Sequence, residues 1–134
     1  MEKVRMVKQL LVTTPNEVGT LGKISAALKN VGVNILHLCA SAFGEEARFM
    51  MVVSNPERAA SVLMKMEYEV VQDNVLEAEF ENAPGTLFPI AEKLGIAGVD
   101  IKYIYGTTPG EEKVICIIST NDNKKALNLI NKQP

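Results

Sequence analysis

Leu76, Ala78 and Phe80 alternate with Glu77, Glu79 and Glu81, so residues 75–81 read as a strand with one dry and one wet face. Residues 9–14 read as another strand. A turn follows each, P-N-E-V-G after the first and E-N-A-P-G after the other. Apolar positions then fall at Leu21, Ile24, Leu28 and Val31, and at Leu87, Ile90, Leu94 and Ala97. That i, i+3, i+7, i+10 spacing makes one stripe along a helix. Gly32 and Gly98 are expected to end the helices in the left-handed conformation. Two strands follow in each case, 34–42 and 47–54, then 100–107 and 113–119, each pair joined at a G-E-E turn. In the first pair, Ile35, Cys39, Phe49 and Met51 do not share a face with Leu36, Leu38, Met50 and Val52. Apolar residues on both faces predict strands covered on both sides. Second helices are expected at 56–66 and 122–132, with Asn55 and Asn121 as N-caps. Residues 68–72 read as a further strand, and Asp73-Asn74 as a turn making 68–72 and 75–81 a hairpin.

The order of elements repeats because the sequence does. Residues 9–68 laid on 75–134, at an offset of 66 without a gap, give 16 identities in 60 positions. Asn16, Gly19, Thr20, Leu21, Gly32 and Val33 return as Asn82, Gly85, Thr86, Leu87, Gly98 and Val99. Such a period points to a duplicated unit. The expected fold is α+β, two tandem ferredoxin-like βαββαβ repeats with antiparallel sheets, divided as 1–73 and 74–134. The second repeat lacks its last strand, since the position matching Tyr68 is Pro134, the final residue. Units of this size have marginal private cores, so the repeats are expected to lean on each other or on another chain. A dimer or larger assembly follows from the two-faced apolar strands.

Composition narrows the function classes. The chain is 47% apolar with a net charge of −2, which gives no long-range attraction to nucleic acid. No apolar run approaches the roughly 20 residues of a membrane span, and the first residues lack a signal-peptide core. Cys39 and Cys116 do not correspond across the repeat and form no C-x-x-C pair, so reduced thiols in a cytoplasmic protein are expected. His37 is the only histidine, and its repeat partner is Tyr103, which argues for a packed residue and against a metal ligand. No spacing supplies a nucleophile with its base. No enzyme activity, metal or cofactor is therefore expected.

The turn after each first strand is the place where chemistry can occur. Gly19 and Gly85 permit positive φ and close backbone approach. The amides that follow open a helix, with the positive end of its dipole behind them. The first turns read Thr20-Leu21-Gly22-Lys23 and Thr86-Leu87-Phe88-Pro89, with no acidic residue. The residues alone leave two readings open: a tight capped turn, or a seat for an outside carboxylate.

The motif Asn16-Glu17-Val18-Gly19-Thr20-Leu21 with Gly32-Val33-Asn34-Ile35 resembles the ACT domain, a regulatory module of amino-acid metabolism. Asn82-Ala83-Pro84-Gly85-Thr86-Leu87 with Gly98-Val99-Asp100-Ile101 resembles it again, so the likeness spans nearly the whole chain. The resemblance implies an amino-acid sensor whose modules associate side by side around ligand. It implies ligand contacts from residues 16–21 and Asn34 in one copy, and from residues 82–87 and Asp100 in the other. In the serine-sensing members the loop asparagine and the one opening the second strand face ligand from two different modules. Val18 stands where proline usually precedes the glycine, and Asp100 where asparagine is usual, so the copies need not be equivalent. The implied partners are a small amino acid, further copies of the chain, and a separate enzyme or regulator. Three rivals remain. A nucleic-acid-binding module needs aromatic and basic residues on the third strand, which Arg48–Val52 and Val114–Ile117 do not supply. A small ferredoxin-like enzyme needs a polar cluster that the sequence does not show. A structural oligomerisation module with vestigial ligand sites needs neither.

Overall fold

The computed structural model describes residues 3–131. Its elements are β1 (Lys3–Pro15), α1 (Thr20–Asn30), β2 (Ile35–Phe43), β3 (Glu46–Val53), α2 (Pro56–Lys65), β4 (Glu69–Glu81), α3 (Phe88–Ile96), β5 (Ile101–Thr107), β6 (Lys113–Thr120) and α4 (Asn123–Asn131). The strands follow the hydrogen-bonded order β2-β3-β1-β4-β6-β5. The expected α+β class with antiparallel strand pairing is what the chain adopts. Pro134 and its match to Tyr68 lie outside the described residues.

Two compact units divide the chain: residues 8–73, and residues 74–134 joined by residues 1–7. In the first unit, Leu10, Val12, Ile24, Leu28, Met51 and Leu63 form a core closed to solvent. Tyr68 and, in β4, Val70 pack against it. In the second, Leu76, Ile90, Leu94, Ile118 and Ala126 do the same. The core positions of α1 are Thr20, Ile24 and Leu28, a spacing of four. Leu21 therefore falls off the stripe expected from the sequence and is 42% exposed; Leu87 is 43% exposed for the same reason.

The strands β4 and β1 correct two expectations. Residues 68–72 and 75–81 are not a hairpin; they are one strand, β4, passing straight through Asp73 and Asn74. A two-residue hairpin turn needs positive φ, and neither residue has it. Residues 75–81 are flanked instead by the N-terminal part of the chain. Val4 and Met6 pack against the second core, Arg5 pairs with Glu77 at 3.0 Å, and Asn131 donates to the Val4 carbonyl at 3.3 Å. The edge of residues 75–81 is thus covered, as an unpaired strand edge must be.

Strand register also replaces the ungapped alignment. Leu10 faces Met51, and its counterpart Leu76 faces Ile118. The first pair is offset by 66 and the second by 67. Ala40 faces Phe49, whereas Gly106 faces Cys116. One extra residue therefore lies in the turn between β5 and β6, and every later position corresponds at 67. The helix caps obey this rule. Asn55 Oδ1 accepts from the Arg58 amide at 3.1 Å, and Asp122 Oδ1 accepts from the Lys125 amide at 3.1 Å. Asn121, the N-cap expected from sequence, instead accepts at Oδ1 from the Asp100 amide at 3.0 Å. The left-handed ends at Gly32 (φ 70°) and Gly98 (φ 74°) form as expected, each followed by an amide bonded back to Leu28 or Leu94.

Candidate functional site

β1 delivers the chain to the first loop at Asn16. Its backbone amide donates to the Glu45 carbonyl at 2.8 Å, and its side-chain Nδ2 donates to the Gly44 carbonyl at 2.9 Å. The β2–β3 turn is thereby held against the loop. Glu17 and Val18 are exposed, Val18 completely. Gly19 then turns at φ 90°, in the N-cap position of α1, with no side-chain cap bond. Thr20 is buried, and its Oγ1 donates back to the Glu17 carbonyl at 3.0 Å. The hydroxyl thus braces the loop and does not cap the helix. The first backbone bond from the turn is Lys23 N–H to Gly19 C=O. Leu21 and Gly22 are exposed, and their amides have no partner among the described residues. Two aligned donors and the helix dipole can accept a carboxylate here.

Asn34 stands elsewhere. Its backbone closes on Ser54, with N–H to Oγ at 2.8 Å and C=O from the Ser54 amide at 2.9 Å. Its side-chain amide makes no hydrogen bond among the described residues and is exposed to solvent. α1 separates Asn34 from Gly19, and 11 residues of helix are about 16 Å long. One small ligand cannot touch both residues within this unit.

The second loop repeats the clasp but not the donors. Asn82 N–H donates to the Glu112 carbonyl at 2.9 Å, and Asn82 Nδ2 to the Glu111 carbonyl at 3.2 Å. Gly85 turns at φ 82°, as Gly19 does. After it the helix starts late, at Phe88. The Thr86 amide bonds to the Ala83 carbonyl at 3.4 Å, and the Phe88 amide to the Gly85 carbonyl at 3.3 Å. Pro89 has no amide hydrogen. Of the counterparts of the two free amides of Leu21 and Gly22, that of Phe88 is therefore taken, and Leu87 remains the exposed amide next to the loop. Pro84 and Ala83 line the exposed side of this turn. Asp100 holds Asn34's place at the start of β5, exposed, with its backbone closed on Asn121.

The family is decided by a match over residues 5–133, described as an ACT domain pair. The chain belongs to the ACT domain pair family. Its fold is that of a protein from Bacteroides thetaiotaomicron, at a TM-score of 0.88 and 23% identity over 95% of this chain and 88% of that one. The regulatory subunit of aspartate kinase from Thermus thermophilus, in its ligand-free form, is similar at a TM-score of 0.70 and 14% identity, covering 96% and 93%. A structure of aspartokinase alpha and beta subunits is similar at 0.67 and 14%, covering 95% and 93%. Among curated proteins, none matches by sequence.

Around the second loop of this ACT pair lies a hollow of about 600 Å³, lined by Lys3, Phe80, Asn82, Ala83, Glu112 and Lys113. Glu79 lines it too, and the hydrogen bond from Lys113 holds the Glu79 carboxyl below its ordinary range, with Lys3 and Arg5 adding to the effect. Among the described residues no group of His, Cys, Asp or Glu could hold a metal ion. No described helix is long and apolar enough to cross a membrane. The sequence reading missed the carbonyls of Gly44, Glu45, Glu111 and Glu112 as partners of the loop asparagines. The recurrence of G-E-E opposite N-x-x-G was the signal that could have revealed them.

Proposed function

We propose that this ACT pair is a non-catalytic sensor of a small amino acid or related carboxylate, bound at the first loop. The observation that carries the proposal is the uncapped, acid-free start of α1 behind Gly19, within the stretch matched as an ACT domain pair. The ligand carboxylate takes the exposed amides of Leu21 and Gly22. Asn16 has already committed its amide donor, so only its Oδ1 remains to accept from an α-ammonium group. Asn34, too distant within its own unit, contributes from a second copy of the chain. The exposed Leu36 and Leu38 of β2 and Phe43 give that copy an apolar surface to bury. Output then passes through association or a separate partner. The second loop, with fewer donors and Asp100, binds more weakly or not at all.

A melting-temperature screen against the common L-amino acids tests this reading. A ligand at about 100 times its dissociation constant adds roughly 2.7 kcal/mol of stability, a readily visible shift. Silence across the whole panel rejects the sensor and favours a structural pair with vestigial sites.

A further inference from the structure

The loop asparagine is doing the same thing in both units, and that action is not directed at a ligand. Asn16 reaches Gly44 and Asn82 reaches Glu111 with the same side-chain atom, while each backbone amide reaches the next carbonyl along. The partner carbonyls correspond at the structural offset of 67, not at the sequence offset of 66. The clasp has thus kept its geometry although the turn it grips gained a residue. Where the side-chain amide lands, the acceptor's place in the structure has been kept and not the residue, Gly44 against Glu111, which is what a bond to backbone allows. The turn lengths differ, and Gly44 has φ 57° whereas Gly110 lies outside the left-handed region.

We infer that Asn16 is a positioning residue that ties the ligand loop to the β2–β3 turn, so that occupancy of the loop and order in the turn rise and fall together. This rests on the proposed function, and it makes the β2–β3 turn part of the sensor. The physical basis is short. A loop running from Asn16 to Gly19 with exposed residues at 17 and 18 has little packing of its own. Its two ends are fixed by different means, one by this clasp and the other by the Thr20 hydroxyl and the helix. Ligand that immobilises Gly19–Gly22 restrains the loop from one end. The restraint reaches Gly44 and Glu45 through Asn16 at the other. From there it enters β2, the strand that carries the exposed Leu36 and Leu38.

Asn16→Asp separates this role from direct ligand contact. Aspartate keeps an acceptor for an ammonium group but loses the donor and sets a carboxylate against the Gly44 carbonyl. Amide hydrogen exchange is followed by NMR on the full chain, wild type and variant, alone and with each common L-amino acid. The proposal expects exchange at residue 16 and at residues 43–47 to quicken by about fivefold or more in Asn16→Asp without added amino acid. It also expects an amino acid that protects Leu21 and Gly22 in the wild type to protect residues 43–47 as well, and to lose that second effect in the variant. Lys124→Ala, at an exposed position of α4 away from both loops, should leave both behaviours intact. Unchanged turn exchange in Asn16→Asp overturns the clasp. Protection confined to residues 20–22 overturns the coupling while leaving the sensor standing. If no amino acid protects any residue, the sensor reading and the coupling fall together, and the exchange without ligand still decides the clasp. Tighter binding by Asn16→Asp, with an unaltered turn, would leave Asn16 a ligand contact alone and overturn its positioning role.

Discussion

At the scale of single residues, the caps show how identity and role can part. Asn55 and Asn121 match in the ungapped alignment, yet Asn55 caps α2 while Asn121 closes β5 and Asp122 caps α4. Asn55→Ala and Asp122→Ala should each lower unfolding stability by about 1 kcal/mol in denaturant titrations, because each leaves a first-turn amide without its acceptor. Glu67 carries the only positive φ of a described non-glycine residue, 66°, just past the end of α2. It does with strain what Gly32 does without it, so Glu67→Gly should raise stability by about 0.5–1 kcal/mol. Cys116 is buried, and burial pushes its thiol up, so a thiol reagent should leave it unmodified in the folded chain at pH 8. Rapid modification of both cysteines at that pH would contradict the packing described.

Among elements, the strands and helices were legible from hydrophobic period because each keeps one face on a core. The helix-ending glycines were legible because a left-handed turn needs them. Two features were not. The strand from Lys3 to Val7 has few alternating contrasts of its own, and its partner lies some seventy residues away in the chain, at Asn74 and beyond. The extra residue between β5 and β6 was hidden because G-E-E recurs by composition at the old offset while backbone pairing follows the new one. Of the candidate site, the glycine turn and the bare helix start were legible from residue type. The clasp of Asn16 was not, since its partners are backbone carbonyls that any sequence supplies. Removal of residues 1–7 should strip protection from amides in 75–81 and α4, because Val4, Met6 and Arg5 cover that unit. Hydrogen exchange reads this residue by residue, and undiminished protection there would refute the strand's role. The same unit should loosen in acid. Glu79's depressed carboxyl stabilises the fold fully above the ordinary carboxylate range, and that contribution is lost as pH falls through its lowered value.

For the whole molecule, duplication has given one chain two similar frames with unequal loops. The asymmetry lies in a few atoms: two exposed donors after Gly19 against a late helix and Pro89 after Gly85, and Asn34 against Asp100. Sedimentation should show a dimer or larger species at micromolar concentration, since Leu36, Leu38 and Phe43 remain exposed. Asn34→Asp should weaken amino-acid binding by about tenfold by setting a carboxylate beside the ligand's own. The central claim is that the first loop receives a small amino acid. It is tested most directly by titrating the isotope-labelled chain with the common L-amino acids and following every backbone amide by NMR. The account predicts saturable shifts centred on Gly19, Leu21 and Gly22, with those of Gly85 and Leu87 smaller or absent. Shifts centred on the second loop alone, or no saturable shift with any amino acid, would contradict it.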